Sequence, residues 1–158
     1  MKRCEEVADL VAQGSKTIVI YGRPTTKKNS SRVVHNGGYT RVLPSKAYTS
    51  YEADALKQLA FYHKRCYVGG LVEVTCKYYM PDKRWWPDLV GLLQATSDIL
   101  TKANIIDDDS YIVNYDGSEI VAFDKVNPRV EINIKPYQDD HIVGVVKGNM
   151  KDGAFNGS

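Results

Sequence analysis

The chain has 158 residues with 43% hydrophobic, 25% charged and 10% aromatic content. This is the profile of one ordinary globular domain, and it argues against a disordered or fibrous chain. The formal net charge of +2 conceals an asymmetry. Up to Pro87 there are 15 Lys and Arg against 7 Asp and Glu, and from Asp88 onward 6 against 12. A basic first part followed by an acidic second part suits a polyanion grip beside a carboxylate cluster.

The start, MKRCEEVADLVAQG, carries Glu5, Glu6 and Asp9 where the apolar core of a secretory leader would sit, so no leader is expected. No apolar run approaches the roughly 20 residues of a membrane-spanning helix. Cys4, Cys66 and Cys76 lack C-x-x-C spacing and read as reduced thiols of a cytoplasmic protein.

Residues 16–22 (KTIVIYG) form a β-branched run closed by Gly22, a strand. Residues 23–32 (RPTTKKNSSR) read as a basic loop, and 32–43 as two short strands around Asn36-Gly37-Gly38. From Ser45, helical spacing brings Tyr48, Tyr51, Ala55, Leu56, Leu59 and Tyr62 onto one face. Residues 71–80 (LVEVTCKYYM) alternate as a strand, and PDKRWWP connects it tightly to a helix opened by Asp88. There Leu89, Leu92, Leu93, Thr96, Ile99, Leu100 and Ala103 share one arc, and Asn104 ends the helix. A hairpin turning at Asp116-Gly117 and the alternating strand RVEINIK (129–135) complete the pattern. The expectation is a single α+β domain, a mixed sheet of about five strands with two main helices, over residues 1–136. Residues 137–158 form a polar, Gly-rich and partly flexible extension.

Carboxylates concentrate at Asp88, at Asp98 and in the Asp107-Asp108-Asp109 run, with Asp116, Glu119 and Asp124 following. Crowded carboxylates repel unless a cation or a shared proton offsets them. Hard divalent ions accept two or three such oxygens together with waters, and they support phosphodiester chemistry. Asp88 is equally a good helix N-cap, and Asp98, opposite the apolar arc, could be solvated surface. Phosphate-contact candidates are Arg23, Lys27, Lys28, Arg32, Arg41 and Lys46, together with Lys83 and Arg84. Trp85 and Trp86 could stack on an unpaired base, although a tryptophan is more often packing. His35, His63 and His141 are scattered, and no zinc, serine-hydrolase, phosphate-loop or dinucleotide motif occurs.

The order of these pieces resembles the RusA Holliday-junction resolvases. It begins with Gly22-Arg23-Pro24 leading to Lys27 and Lys28, then a Tyr-containing helix and Pro87-Asp88-Leu89. Asp98-Ile99-Leu100, Ala103-Asn104-Ile105-Ile106, Asp108-Asp109-Ser110 and Lys125 before RVEINI follow. The resemblance implies Mg²⁺-dependent (alternatively Mn²⁺-dependent) cleavage of four-way or branched DNA by a homodimer, without a nucleotide cofactor or membrane, in phage-type DNA processing. It makes Asp88 and Asp109 the principal metal ligands, with Asp108 beside Asp109. Asp98 matches a recurrent acidic position, and Lys27, Lys28 and Arg32 would contact the DNA backbone. The family pattern reads Asp-x-Asp-Asn with a lysine four residues after the second Asp, whereas this chain has Val90, Gly91 and Gln94 there. Asp98, Asp107 or Asp124 could supply the missing oxygen, and Lys125 or Lys102 the missing charge. A junction binder that cuts poorly or not at all is the alternative. A weaker one is an interaction protein that meets its partner through the acidic half.

Overall fold

The computed structural model describes residues 14–27 and 45–138, and the backbone of 32–43. Among the described residues, seven strands and two α-helices follow one another as β1 (Lys16–Tyr21), β2 (Arg32–Asn36), β3 (Tyr39–Leu43), α1 (Lys46–Leu59), β4 (Val72–Met80), α2 (Leu89–Lys102), β5 (Ile112–Asn114), β6 (Glu119–Phe123) and β7 (Arg129–Pro136). A single 3₁₀ turn, Asp109–Tyr111, leads into β5. The expected 137–158 extension lies outside the described residues apart from Tyr137 and Gln138.

Period-two alternation builds the main sheet. Ile18 and Ile20 of β1 are buried, as are Val130, Ile132 and Ile134 of β7 and Val72, Val74, Cys76, Tyr78 and Met80 of β4. The antiparallel registers place Ile18 opposite Ile132 and Ile132 opposite Cys76. Directly opposed residues share a face, so the buried set forms one apolar surface. It is covered by Ala55 and Leu59 of α1 and by Leu92, Ile99 and Leu100 of α2. A buried hydrogen bond, Tyr78 Oη to Thr96 Oγ1 at 2.7 Å, ties β4 to α2. Burial pushes the Cys76 thiol up to about 12, so it is inert packing.

Local chemistry sets the element ends. Ser45 caps α1 by accepting from Tyr48 N at 3.0 Å. Asp88 caps α2 by accepting from Gly91 N at 3.1 Å. Asn104, at φ +57, turns the chain out of α2 in the left-handed conformation that asparagine tolerates. In the separate β2–β3 hairpin, Gly37 and Gly38 have φ of +54 and +93, as a two-residue turn of this hand requires.

One sequence expectation is corrected. β5 and β6 do not form a hairpin with each other at Asp116-Gly117. Both run parallel to β4, with Ile112 opposite Val72 and Glu119 opposite Lys77. The intervening turn is stitched to β4, where Thr75 Oγ1 donates to Asp116 O and Cys76 N donates to Ser118 Oγ. Hydrogen bonds to the edge of β4 thus replace those that a local hairpin would make. With β1 and β7 antiparallel, the sheet is mixed and carries both helices on one face, the expected α+β class. Among the described residues no helix is long and apolar enough to cross a membrane.

Leu100→Ala removes a fully buried side chain and is expected to cost about 2–5 kcal/mol. Phe61→Ala, at an exposed site, should stay within about 0.5 kcal/mol. Urea unfolding of the two variants checks the contrast.

Candidate active site

α2 carries acidic groups at both ends. Asp88 stands at its front, and the ten residues to Asp98 advance about 15 Å along the axis. Asp88's carboxylate turns back onto the helix as the cap. A Cβ at Gly91 would lie 2.6 Å from Asp88 Oδ1 and 3.1 Å from Thr26 Cγ2. The glycine therefore leaves room for both the cap and the Arg23–Lys27 segment. Val90, where the family pattern has an aspartate, is 68% exposed.

At the other end, Asp98 is half-buried and forms an ion pair with Lys27. It is no plain solvated carboxylate. Lys27 also lies over the Tyr48 ring, 5.5 Å from its centroid, and Tyr48 Oη donates to Glu52 at 2.7 Å. Lys102 pairs with Glu52 at 2.8 Å. Tyr115 is within the electrostatic influence of both Asp98 and Asp109, and burial raises its hydroxyl above the ordinary range.

Asp108 and Asp109 share a hydrogen bond between their side chains. It pushes the Asp109 carboxyl above the usual range, reinforced by partial desolvation and by the negative charges of Asp108 and Asp98. The same bond, with Ser110 N donating to Asp108 at 3.0 Å, holds Asp108 below that range. Asp98, Asp108 and Asp109 thus form one electrostatic neighbourhood beyond the middle of α2, where Lys27 pairs with Asp98.

The other carboxylates are committed elsewhere. Asp107 accepts from Tyr67 Oη and from Gly70 N, locking the approach to β4. Asp124 caps its own turn and accepts from Arg129 Nη1 at 2.8 Å. Lys125 is exposed in that turn, between β6 and β7.

Among the described residues, no three His, Cys, Asp or Glu side chains are gathered closely enough to hold a metal ion. The Asp108–Asp109 pair nevertheless has the right donor chemistry. It offers two hard oxygens in mutual contact, which an ion that retains its waters accepts. Asp98 is the third carboxylate that presses on the pair.

The cationic candidates divide in two. Lys83 and Arg84 are exposed on the connection between β4 and α2, and Lys46 is exposed at the start of α1. Arg23 is structurally engaged: its guanidinium donates to Asp82 Oδ2 at 2.7 Å and to Arg84 O at 3.1 Å. Lys28 and the side chains of Arg32 and Arg41 lie outside the described residues. Both tryptophans depart from the packing expectation. Trp85 is 80% exposed and Trp86 50%, the latter edge-on to Phe123 at 5.7 Å. The roles of Tyr115 and Asp82 went unread in the sequence, and only Asp82's place in the PDKRWWP connection hinted at one.

The pair also fixes the sign of a pH effect. Asp109's raised pKa means that its contribution to stability is present below the unfolded carboxylate range and is lost as pH rises through the folded value. Asp109→Asn removes that loss. The melting temperature of the variant relative to the parent should therefore be higher at pH 8 than at pH 4. Thermal unfolding at both values measures it, and the opposite order would refute the like-charge account.

Residues 22–135 match the family model described as endodeoxyribonuclease RusA. Comparison with curated proteins gives no match. The matched stretch begins at the Gly22-Arg23-Pro24 step, contains both ends of α2 and the Asp108–Asp109 pair, and closes within β7. Covering well over half of the sequence, it establishes that this chain belongs to the endodeoxyribonuclease RusA family.

Proposed function

We propose that this protein is a divalent-cation-dependent, structure-specific endodeoxyribonuclease acting on Holliday junctions or related branched DNA in recombination or phage-type DNA processing. The observation that carries this reading is the Asp98, Asp108 and Asp109 neighbourhood beside Lys27. Asp109 and Asp108 would hold a Mg²⁺ or Mn²⁺ ion, with Asp98 as the nearby third carboxylate. Bound there, such an ion supplies a nucleophilic water and offsets charge on the phosphate. Lys27, which pairs with Asp98, would present its ammonium group to the phosphate backbone in the role of the family lysine replaced by Gln94. Asp88 keeps the acidic place assigned to it by the resemblance, at the front of α2. Lys46, Lys83 and Arg84 would bind backbone phosphates, so affinity should fall steeply with salt. Paired nicks across a four-way junction call for two copies of the chain.

The test incubates the protein with a synthetic four-way junction, with and without Mg²⁺, at two salt concentrations. Asp109→Asn and Asp88→Asn are each expected to lower nicking on the order of 100-fold while leaving junction binding intact. Loss in Asp109→Asn alone would confine the centre to the far end of α2. Normal nicking by both variants would overturn the assignment.

A second reading, a junction binder that does not cut, is favoured by the exposed Val90 at a place where the family pattern carries a carboxylate. Junction binding without cleavage in either Mg²⁺ or Mn²⁺ would establish it.

A further inference from the structure

A cavity of about 250 Å³ opens between the Arg23–Thr26 segment and the connection that leads into α2, lined by Arg23, Pro24, Thr26, Ala47, Trp85 and Pro87. It is smaller than the roughly 300–1,000 Å³ of drug-sized ligand sites, so it suits one flat ring system. Three independent features mark it. Trp85 is 80% exposed, and its backbone has φ +53, a conformation costly for a bulky residue and maintained only where the surroundings enforce it. The enforcement is visible, because Arg23 grips both Asp82 and the Arg84 carbonyl immediately before Trp85, and Arg84 N donates to Asp82 Oδ1 at 2.8 Å. Thr26 is 2% exposed, and its Oγ1 has no hydrogen-bond partner among the described residues. A buried hydroxyl left unpaired is unfavourable, and a ligand with donors and acceptors on its edge would satisfy it. Finally, the exposed cations Lys46 and Arg84 are chain neighbours of the lining residues Ala47 and Trp85, with Lys83 one residue further, so this stretch of surface carries positive charge that attracts a polyanion.

We infer that this cavity receives a single unpaired nucleobase of the DNA substrate, stacked on the Trp85 indole and hydrogen-bonded at its edge by Thr26 Oγ1. The inference deepens the proposed function and rests on its choice of DNA as the ligand. Base–aromatic stacking tolerates any base because each has a π-face, whereas the hydroxyl discriminates among edges. The site thus selects DNA containing an unpaired position over continuous duplex. It does so at the front of α2, away from the Asp108–Asp109 pair.

The test uses EDTA throughout, so that cleavage plays no part. A duplex with one unpaired 2-aminopurine and its fully paired counterpart are titrated with protein, following affinity and 2-aminopurine fluorescence. The parent should prefer the unpaired probe by about tenfold and quench its fluorescence. Trp85→Ala should abolish both the preference and the quenching, with less than a twofold change on paired duplex. Trp85→Phe should retain most of the preference. Thr26→Val should keep the preference but alter the ranking among the four unpaired bases, and an unchanged ranking would refute the role of the hydroxyl. Preference and quenching retained in Trp85→Ala would overturn the site. So would equal binding of both probes by a parent that still nicks junctions, and that result would leave the nuclease reading standing. A parent that binds neither probe but binds the four-way junction would overturn the site alone, and one that binds no DNA at all would bring down both.

Discussion

The burial of one face of α2 against β4 and β7 is the constraint on which the rest depends. Leu92, Ile99 and Leu100 are sunk into the sheet, and Tyr78 Oη bonds Thr96 from beneath. The helix therefore cannot slide or rotate without opening the core. Its polar features follow rigidly. The front is fixed where Asp88 caps it beside Trp85 and Thr26, and Asp98 is fixed where it meets Lys27 and feels Asp109. Two chemically distinct stations are held about three turns apart on a single rigid rod. One is apolar and rimmed with positive charge, and the other is acidic.

Charge balance explains how the acidic station survives in the folded chain. Asp98 is neutralised by Lys27, while the interaction between the Asp108 and Asp109 side chains lowers the pKa of one carboxyl and raises that of the other. Neither arrangement is a deep investment, since the groups are partly open to water and exposed ion pairs contribute little. Such pairs exchange partners easily. The carboxylates that could have repaired the altered family pattern from elsewhere, Asp107 and Asp124, are instead used to fasten loops. That leaves Asp98, the carboxylate whose charge acts on Asp109, as the third carboxylate of the proposed function.

Much of this was legible in the sequence because it is written in local periodicity. The alternation of β4 and β7, the apolar arc of α2, the caps at Ser45 and Asp88 and the Gly37-Gly38 turn each depend on residues within a few positions of one another. The β5–β6 segment was misread because Asp116-Gly117 is a good hairpin signal, and only the non-local bonds of Thr75 and Cys76 to the turn override it. The partnership of Lys27 with Asp98 spans 71 residues, and that of Arg23 with Asp82 spans 59. No spacing rule reaches so far. The exposure of Trp85 was hidden for the opposite reason: composition favours burying tryptophan, and only the Arg23 grip on its neighbours turns it outward.

The split edge of the sheet has its own consequence. β5 and β6 lie end to end along the same border of β4, three and five residues long, with a bonded turn between them. Val121 and Phe123 are exposed on β6, which on a long continuous border would invite another chain to add itself. Because the border is broken, an intruding strand finds no uninterrupted rail of amide and carbonyl groups beyond five residues. The molecule can thus display greasy side chains on that flank without becoming a template for runaway polymerisation.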